Sequence, residues 1–514
     1  MQRDNETVNG SGAGGAKRRT SRAGATVLLA CAVGASLLWS VFTGALPPVA
    51  GFVAVALVLT AVFWQIRAHL PSILLVFVAV MLAGVVVTHR LPKLRADRTD
   101  ARDTGELSRK WAASGRFNES LPIVVHLIFD ELMSTGGMTD DVPGGDRTRQ
   151  RLLEFGRKHS FRIYDSVYSR YWTTGGSIPN LMNREYLGRT GLDSLSPFPF
   201  DRETRSFSLE TNAYFDDMAN RGYRTVVFQV PFMNFCANRN VDMCETFDSF
   251  DPGGADSAID SPTLRVNLWQ TVLRAYAPSY TSSIGQKIVA RVYALGSGEV
   301  GVEGFVERYD AQRFPQWFDR FTRFTAAVPR GTHVFAHFLV PHSPYLLTES
   351  CVVSGNVEAG YYLSQAGTSR DERWRHYYER YLGQVRCVEN KLDSFMAAIG
   401  QSENFRDAVI VIHGDHGSRI SSGDVLEDYS RRDFVDNYAT FFAVRSPVVQ
   451  PGVDCEFVSL SEVFRRYAAR GVPSRPRPAA PLPVIVYSRA AGNAEVEAPM
   501  PPFGCAAGTA SLSE

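Results

Sequence analysis

The sequence predicts an α/β fold, a mixed and mostly parallel sheet with helices on both faces, preceded by three transmembrane helices. Short apolar runs of strand length alternate with helical stretches over residues 121–447, a pattern typical of such sheets. The segment from residue 26 to residue 88 contains a single charged side chain, Arg67. With 514 residues, the chain is also long enough to contain separate parts rather than one core.

The apolar segment divides into three stretches, residues 26–45, 48–66 and 71–88. Each is close to the ~20 residues that cross a bilayer as a helix, and Pro47 and Pro48 form the first break. We therefore predict a cytoplasmic tail at 1–25 and three transmembrane helices at 26–90. A cleaved signal peptide is the competing interpretation of the first stretch, but the long apolar continuation after it argues against cleavage.

Basic residues favour a cytoplasmic N-terminus, because positively charged segments are retained inside. Lys17, Arg18, Arg19 and Arg22 precede the first stretch, and Arg67 lies in the second connection. Three crossings then place the rest of the chain outside the cytoplasm. A further basic group after the third stretch argues against this orientation: Arg90, Lys93, Arg95, Arg98 and Arg102.

The cysteines favour the extracytoplasmic placement. Six of the seven lie beyond the apolar segment and fall into sequential pairs: Cys236, Cys244, Cys351, Cys387, Cys455 and Cys505. This even number suggests three disulfides in an oxidising compartment, although the sequence leaves the pairing open. Unpaired buried thiols and zinc knuckles are the alternatives, but the chain has no Cys-x2-Cys pair. We predict a multi-pass protein of the cytoplasmic (inner) membrane with a periplasmic or extracellular domain.

The part beyond the membrane divides into three regions. Residues 91–120 are polar and lack periodicity, which predicts a linker, and a globular domain follows at 121–447. A Pro-rich extension of that domain follows at 448–514, and its stretch 471–502, which holds eight prolines, is expected to be extended. Strands are expected at 123–129, 225–230, 333–340, 408–413, 440–444 and 484–487, and helices at 311–327 and 371–399. The net charge of +1 argues against nucleic acid as a partner.

Acidic residues and histidines cluster where strands are expected to end. Asp130 and Glu131 follow the first strand, and Asp415 and His416 follow the strand at 408–413. Because ligands bind at the carboxyl edge of parallel sheets, a carboxylate and an imidazole at such a turn could share a metal ion. Five of the ten histidines fall within 333–342 and 413–416: His333, His337, His342, His413 and His416. We expect His126, His333 and His413 to be core residues.

A Gly-rich segment supplies a hydroxyl. Thr173 and Thr174 precede Gly175-Gly176-Ser177-Ile178-Pro179, which suggests a turn into a helix whose N–H groups could hold an anion. A threonine becomes a useful nucleophile when a metal lowers its pKa. The competing interpretation is a Gly-rich turn in which the hydroxyls only cap the helix.

Four motifs together carry a resemblance to a known family: Ile128-Phe129-Asp130-Glu131, Thr174-x-x-Ser177-Ile178-Pro179, His337-x4-His342-Ser343-Pro344 and Gly414-Asp415-His416-Gly417. Residues 121–447 resemble the alkaline phosphatase superfamily in its sulfatase-like branch. Within it, the membrane-anchored phosphoethanolamine and phosphoglycerol transferases, including lipoteichoic acid synthases, are the most similar. The resemblance implies transfer of a substituted phosphate from a phospholipid donor to an envelope glycan or lipid.

The resemblance also implies the site residues. A divalent metal, zinc or alternatively manganese, magnesium or calcium, would be held by Asp130 with the adjacent Glu131, Thr174, Asp415 and His416. Thr174 would be the nucleophile, and a phospho-threonine intermediate would follow. His342 and His337 match histidines that contact the transferred phosphate or a second ion.

Two departures from the family pattern leave alternatives open. The arginine that sulfatases carry after their Cys- or Ser-x-Pro motif is missing from Ser177-Ile178-Pro179-Asn180-Leu181, which disfavours an ordinary sulfatase. His416 is the last histidine of the chain, whereas phosphoethanolamine transferases have one more. A sulfatase-like hydrolase or phosphodiesterase with the same site, and a catalytically inactive scaffold, are therefore the rival hypotheses.

Overall fold

The computed structural model describes residues 105–183, 200–201, 206–230, 233–247, 302–343, 345–352, 370–420, 425–468, 481–492 and 494–505. The predicted cytoplasmic tail and transmembrane helices, 1–25 and 26–90, lie outside these residues. Within the described ranges, no helix combines the length and the apolar character needed to span a bilayer.

The described residues form strands and helices in alternation. The strands are β1 (Val124–Phe129), β2 (Arg162–Tyr164), β3 (Val167–Tyr168), β4 (Phe200–Asp201), β5 (Ser206–Ser208), β6 (Arg224–Gln229), β7 (Met233–Asn234), β8 (Val241–Thr246), β9 (Thr332–Phe338), β10 (Val409–His413), β11 (Phe442–Arg445), β12 (Gly452–Asp454), β13 (Val458–Ser459), β14 (Val484–Ser488) and β15 (Ala494–Ala498). The helices are α1 (Gly145–Lys158), α2 (Thr174–Asn183), α3 (Ala213–Asn220), α4 (Val302–Ala326), α5 (Arg370–Ile399), α6 (Arg431–Tyr438) and α7 (Leu460–Ala468).

Eight strands make one central sheet in the order β12-β2-β11-β10-β1-β9-β6-β8. The strand β1 pairs in parallel with both β10 and β9, and β6 continues the parallel arrangement on both of its sides. Only β11 runs against its two neighbours in this sheet. The prediction of a mixed, mostly parallel sheet is confirmed.

Side chains that alternate along the strands pack into two cores, one on each face of the sheet. On one face, Val125 and Leu127 of β1 contact a core that includes Leu152 of α1, Phe318 of α4 and Tyr381 of α5. The other face has its own core, which includes Val124 of β1, Ile178 of α2, Phe215 of α3, Val411 of β10 and Phe464 of α7. Helices therefore cover both faces, as predicted.

Most of the predicted elements are present. The strands expected at 123–129, 225–230, 333–340, 408–413 and 440–444 all lie in the central sheet. The helix at 371–399 is confirmed, and that at 311–327 begins earlier, at Val302. The strand expected at 484–487 is present but forms a separate antiparallel hairpin with β15.

Two regions outside 121–447 contain secondary structure. Residues 105–113, within the predicted linker 91–120, are helical. Trp111 on this helix is 1% exposed, and its Nε1 donates to Thr332 Oγ1 at 3.4 Å, so burial of one aromatic ring anchors the segment to the sheet. The Pro-rich stretch 471–502 contains the β14–β15 hairpin, and the part of the extension before it contributes β12 to the edge of the sheet and the helix α7.

The cysteines beyond the apolar segment form three sequential disulfides: Cys236–Cys244, Cys351–Cys387 and Cys455–Cys505. The prediction of three disulfides is therefore confirmed, and the structure gives the pairing that the sequence left open. The last of these bridges joins the segment after β12 to the end of the described chain, next to the β14–β15 hairpin.

Candidate active site

The site lies at the carboxyl edge of the sheet, where β1 and β10 end side by side. Parallel pairing of Leu127 with Ile412 sets the two strands in register. Asp130 therefore leaves β1 next to the turn that carries Asp415. A methyl group added to Gly414 in this turn would overlap the carbonyl oxygen of Leu132, so only glycine permits this approach.

Thr173 and Thr174 have different positions at the start of α2. Thr173 caps the helix, because its carbonyl oxygen accepts the N–H of Ser177 at 2.8 Å. Thr174 is the first helical residue, and its hydroxyl donates to Asp130 Oδ2 at 3.1 Å and lies 3.3 Å from His416 Nε2. Of the two threonines, Thr174 is thus the one whose hydroxyl reaches the acids and the imidazole.

Asp130, Asp415 and His416 form a buried group whose ligand atoms lie within 4.8 Å of one another. All three side chains are 0% exposed. Within the described chain, Asp130 Oδ1 and Asp415 Oδ2 have no hydrogen-bond partner. Buried carboxylate oxygens without a donor are costly unless a cation compensates them, so these residues fit a divalent metal ion.

The surrounding hydrogen bonds orient this group. His416 Nδ1 donates to the carbonyl oxygen of Gly417 at 2.9 Å, which leaves the lone pair of Nε2 directed at the site. Asp415 Oδ1 accepts the backbone N–H groups of Glu131 at 3.1 Å and of His416 at 3.0 Å. Burial alone would raise the pKa of Asp130, but the three surrounding imidazoles outweigh it and hold the pKa well below its usual range.

His337 is brought to the same site from β9. Its Nε2 lies 3.7 Å from Asp130 Oδ2, and its side chain is 0% exposed. Neither ring nitrogen has a hydrogen-bond partner among the residues described. The imidazole therefore lies beside the Asp130 carboxylate, at the edge of this group.

Glu131 and His342 lie together in a second group beside the first. His342 Nε2 is 3.6 Å from Glu131 Oε1, and the His342 side chain is 30% exposed. Glu131 has a backbone φ of 64°, in the left-handed region. Of the predicted ligands, the structure thus brings Asp130, Thr174, Asp415 and His416 together, whereas Glu131 forms a second group with His342 and Asp130. The roles of all of them stay predictions.

Residues that were not predicted complete the surroundings. Arg419 Nε donates to Glu131 Oε1 at 2.8 Å, and Arg419 Nη2 lies 2.9 Å from His342 Nε2. Ser177 Oγ donates to the carbonyl oxygen of Asp415 at 2.6 Å and ties α2 to the turn. Arg419 lies three residues after His416. It was missed because arginine is not a metal-ligand residue type, and the sequence was searched for such types.

Comparison with known proteins agrees with this geometry at the level of the family. The model of the family described as Sulfatase matches residues 156–466, more than half of the 514 residues. No curated protein matches the chain.

Several solved structures are similar at low sequence identity. The C-terminal periplasmic domain of EcEptC from Escherichia coli, in complex with Zn, matches with a TM-score of 0.37 and 13% identity, over 75% of this chain and 94% of that one. Phosphonate monoester hydrolase of Agrobacterium radiobacter matches with a TM-score of 0.39 and 13% identity, over 68% and 73%. An alkaline phosphatase superfamily protein from Vibrio parahaemolyticus gives 0.38 and 12%, over 72% and 73%. On the match over more than half of its length, the chain belongs to the sulfatase family, within the alkaline phosphatase superfamily that its motifs resemble.

Proposed function

We propose that the protein is a membrane-anchored, metal-dependent transferase that moves a substituted phosphate, of phosphoethanolamine or phosphoglycerol type, from a phospholipid to an envelope glycan or lipid. The observation that carries this proposal is the position of the Thr174 hydroxyl, at the start of α2 and 3.1 Å from Asp130 Oδ2. A buried nucleophile surrounded by acids with unsatisfied oxygens suits covalent transfer of an anionic group.

The metal would be held by Asp130, Thr174, Asp415 and His416. When bound, a divalent ion lowers the pKa of a hydroxyl and offsets negative charge on phosphoryl oxygens. Zinc is the ion that we favour, since an imidazole and carboxylates are ligands that it accepts. Manganese, magnesium and calcium are the alternatives, and measurement of the affinity of the purified chain for each ion would distinguish them.

The chain's own residues would carry the two steps. Thr174 Oγ attacks the donor phosphorus; an O–P bond forms, the bond to the lipid glycerol oxygen breaks, and diacylglycerol leaves after taking up a proton. An acceptor hydroxyl then attacks the phospho-threonine, loses its proton and releases Thr174. His337 and His342 would contact the phosphoryl oxygens or assist in these proton transfers.

The location of the site supports the choice of substrates. Three disulfides indicate an oxidising compartment, so we place the domain on the periplasmic or extracellular side of the cytoplasmic membrane. The apolar segment at 26–90 would keep the domain near a lipid donor. A transferase anchored in this way needs both a membrane and an acceptor exposed on the same side.

The test is the intact mass of the full-length chain, purified in detergent and incubated with phosphatidylethanolamine or phosphatidylglycerol. We expect a gain equal to one transferred group in the wild type and no gain in Thr174→Ala. An equal gain in Thr174→Ala would contradict the choice of nucleophile. Release of the group to water regardless of acceptor would establish the hydrolase instead, and a folded chain that takes up neither metal nor group would establish the scaffold.

A further inference from the structure

The long helix α5 carries a row of polar side chains on a buried face. Tyr378, Tyr381 and Gln384 follow one another at a spacing of three residues, and each is 0% exposed. Residues three apart lie on the same side of a helix. A buried polar group costs free energy unless it is hydrogen-bonded, so the partners of these side chains show what this face of α5 does.

Gln384 uses its whole amide group on the loop that carries His342. Its Oε1 accepts the N–H groups of Leu346 at 2.7 Å and Leu347 at 2.9 Å. Its Nε2 donates to the carbonyl oxygens of Pro341 at 3.0 Å and His342 at 3.2 Å. A carboxamide has two donors and two acceptor positions, so the backbone of a single loop satisfies all four.

Tyr381 makes the equivalent contacts with the turn after β1. Its hydroxyl donates to the carbonyl oxygen of Glu131 at 2.6 Å and accepts the N–H of Met133 at 2.9 Å. One helix therefore holds the backbone of both Glu131 and His342, whose side chains meet at 3.6 Å. Side chains of a regular helix hold such groups more precisely than a loop alone would.

A second contact between α5 and the same loop serves as a comparison. Asn390 Nδ2 donates to the carbonyl oxygen of Glu349 at 2.7 Å, so it also ties the loop to the helix. Glu349 pairs with arginines and not with any residue of the site. The contacts of Gln384 and Asn390 are alike in kind, but only Gln384 holds the backbone of a site residue.

We propose that Gln384 is a positioning residue for the transfer, which acts by fixing the place of the His342 imidazole. This inference rests on the proposed function, in which His342 contacts the phosphoryl oxygens or assists in proton transfer. A fully buried amide cannot itself touch a lipid, so its effect on the reaction must pass through the loop. A misplacement of about 1 Å at a reacting group can lower a rate about 10²-fold.

The first test is Gln384→Met, which keeps the length of the side chain and removes its four hydrogen bonds. The full-length chain, purified in detergent and loaded with Zn²⁺, is mixed with phosphatidylethanolamine or, in a separate arm, phosphatidylglycerol. The first-turnover rate of diacylglycerol release is measured against lipid concentration. We expect the rate at saturating lipid to fall about 10²-fold, with little change in the half-saturating concentration, because the buried amide binds no lipid.

A double-mutant cycle distinguishes positioning from general support of the fold. His342→Ala should be slow by itself, and adding Gln384→Met to it should slow release no further, because the two changes remove the same contribution. A purely structural role would make the two losses multiply. Asn390→Ala is the matched control on α5 and should leave the rate unchanged.

A second variant serves if Gln384→Met does not fold. Gln384→Glu keeps an oxygen for the N–H groups of Leu346 and Leu347, loses both donors, and should also slow release at saturating lipid. An unchanged rate in a folded Gln384 variant, or multiplying losses in the double variant, would overturn the inference; release that still depends on Thr174 would leave the proposed function standing. No release by the wild type from either lipid would overturn both.

Discussion

Two sets of histidines lie on or just after the same strands, and they differ in what satisfies their polar atoms. In the core set, His126 of β1 and His413 of β10 share a hydrogen bond of 2.7 Å between their Nε2 atoms, and His333 of β9 bonds Tyr214 Oη and Thr225 Oγ1. The edge set, His337 and His416, lies farther along, at the carboxyl edge of the sheet. Neither ring nitrogen of His337 has a hydrogen-bond partner within the described chain, and Nε2 of His416 is directed at the acids.

The difference shows how one residue type serves two purposes at different positions along the same strand, as with His333 and His337 of β9. In the core set, His413 Nδ1 donates to the Gly414 carbonyl oxygen, so His413 Nε2 accepts from His126 and the tautomers are fixed. Among the described residues, His126 Nδ1 is the one ring nitrogen of that set without a hydrogen-bond partner. Local hydrogen bonds therefore stabilise the core set, whereas the edge set keeps polar atoms available for a ligand.

The largest effect is expected from the nucleophile at the edge. Thr174→Ala should lower the transfer rate by a factor on the order of 10⁴ or more, because no other described hydroxyl contacts both Asp130 and His416. Thr173→Ala is the matched control. It removes a hydroxyl that bonds Gly176 N at 3.3 Å and should cost about 1 kcal/mol of stability with little loss of rate. Initial rates with a labelled phospholipid measure both.

An equal loss of rate in the two threonine variants would mean that the start of α2 matters only as a structure. In that case the hydroxyl of Thr174 would not be the attacking group.

The second-largest effect is expected from removal of the metal ion, which should destabilise the fold through the edge set and leave the core set unaffected. A chelator should lower the free energy of unfolding of the wild type by about 4 kcal/mol when the ion is present at a thousand times its dissociation constant. Asp415→Asn should abolish this difference, since it removes one of two facing buried carboxylates. The stripped variant should be at least as stable as the stripped wild type. Urea unfolding with and without chelator is the measurement.

A core variant provides the control for the metal experiment. His333→Gln should keep the full effect of the chelator, because His333 is bonded within the core set and not to the acids. Loss of the chelator effect in His333→Gln would show that the core set also contributes to metal binding, and the two sets would not have separate roles.

Acid should destabilise the core set. Burial lowers the pKa of His333 to about 3 and that of His413 to about 4. A histidine whose folded pKa is depressed stabilises the fold fully above its unfolded pKa of about 6.5, and this contribution is lost as the pH falls toward the folded value. For His333 alone the loss between pH 7.5 and pH 5 should be about 2 kcal/mol.

The variant His333→Gln isolates this contribution. The decrease in unfolding free energy between the two pH values should be smaller by about 2 kcal/mol in the variant than in the wild type, measured by urea unfolding. The same decrease in both proteins would show that His333 is not held neutral by the fold.

Much of this architecture was predictable, because apolar runs and metal-ligand residue types leave strong local patterns. The run Val124–Phe129 followed by Asp130 indicated both a strand and its functional end. A turn into a helix was expected where α2 begins, whereas the short helix α3, with only eight residues, was not predicted. Tertiary packing decides such segments more than their own propensities do.

The parts of the site that escaped prediction depend on contacts distant in sequence. Arg419 meets Glu131 across 288 positions, and no spacing rule links an arginine to an acid at that separation. The assignment of Glu131 as a ligand of the first ion depended on its adjacency to Asp130, whereas the structure groups Glu131 with Asp130 and His342 and not with Asp415 and His416. Sequence patterns thus indicated which residue types meet, but not which oxygens remain unsatisfied.

The smallest effect concerns a single hydroxyl in the core set. Tyr214 Oη lies 3.1 Å from His333 Nε2, and both side chains are buried. Tyr214→Phe should cost about 1 kcal/mol, the usual contribution of one hydrogen bond, plus part of the penalty for the imidazole nitrogen left without a donor. Tyr377→Phe, at a partly exposed tyrosine of α5, is the matched control and should change the unfolding free energy by a few tenths of a kcal/mol at most. If Tyr214→Phe were as stable as the wild type at neutral pH, the His333 nitrogen would not need its donor, and local satisfaction would no longer distinguish the core histidines from those at the edge.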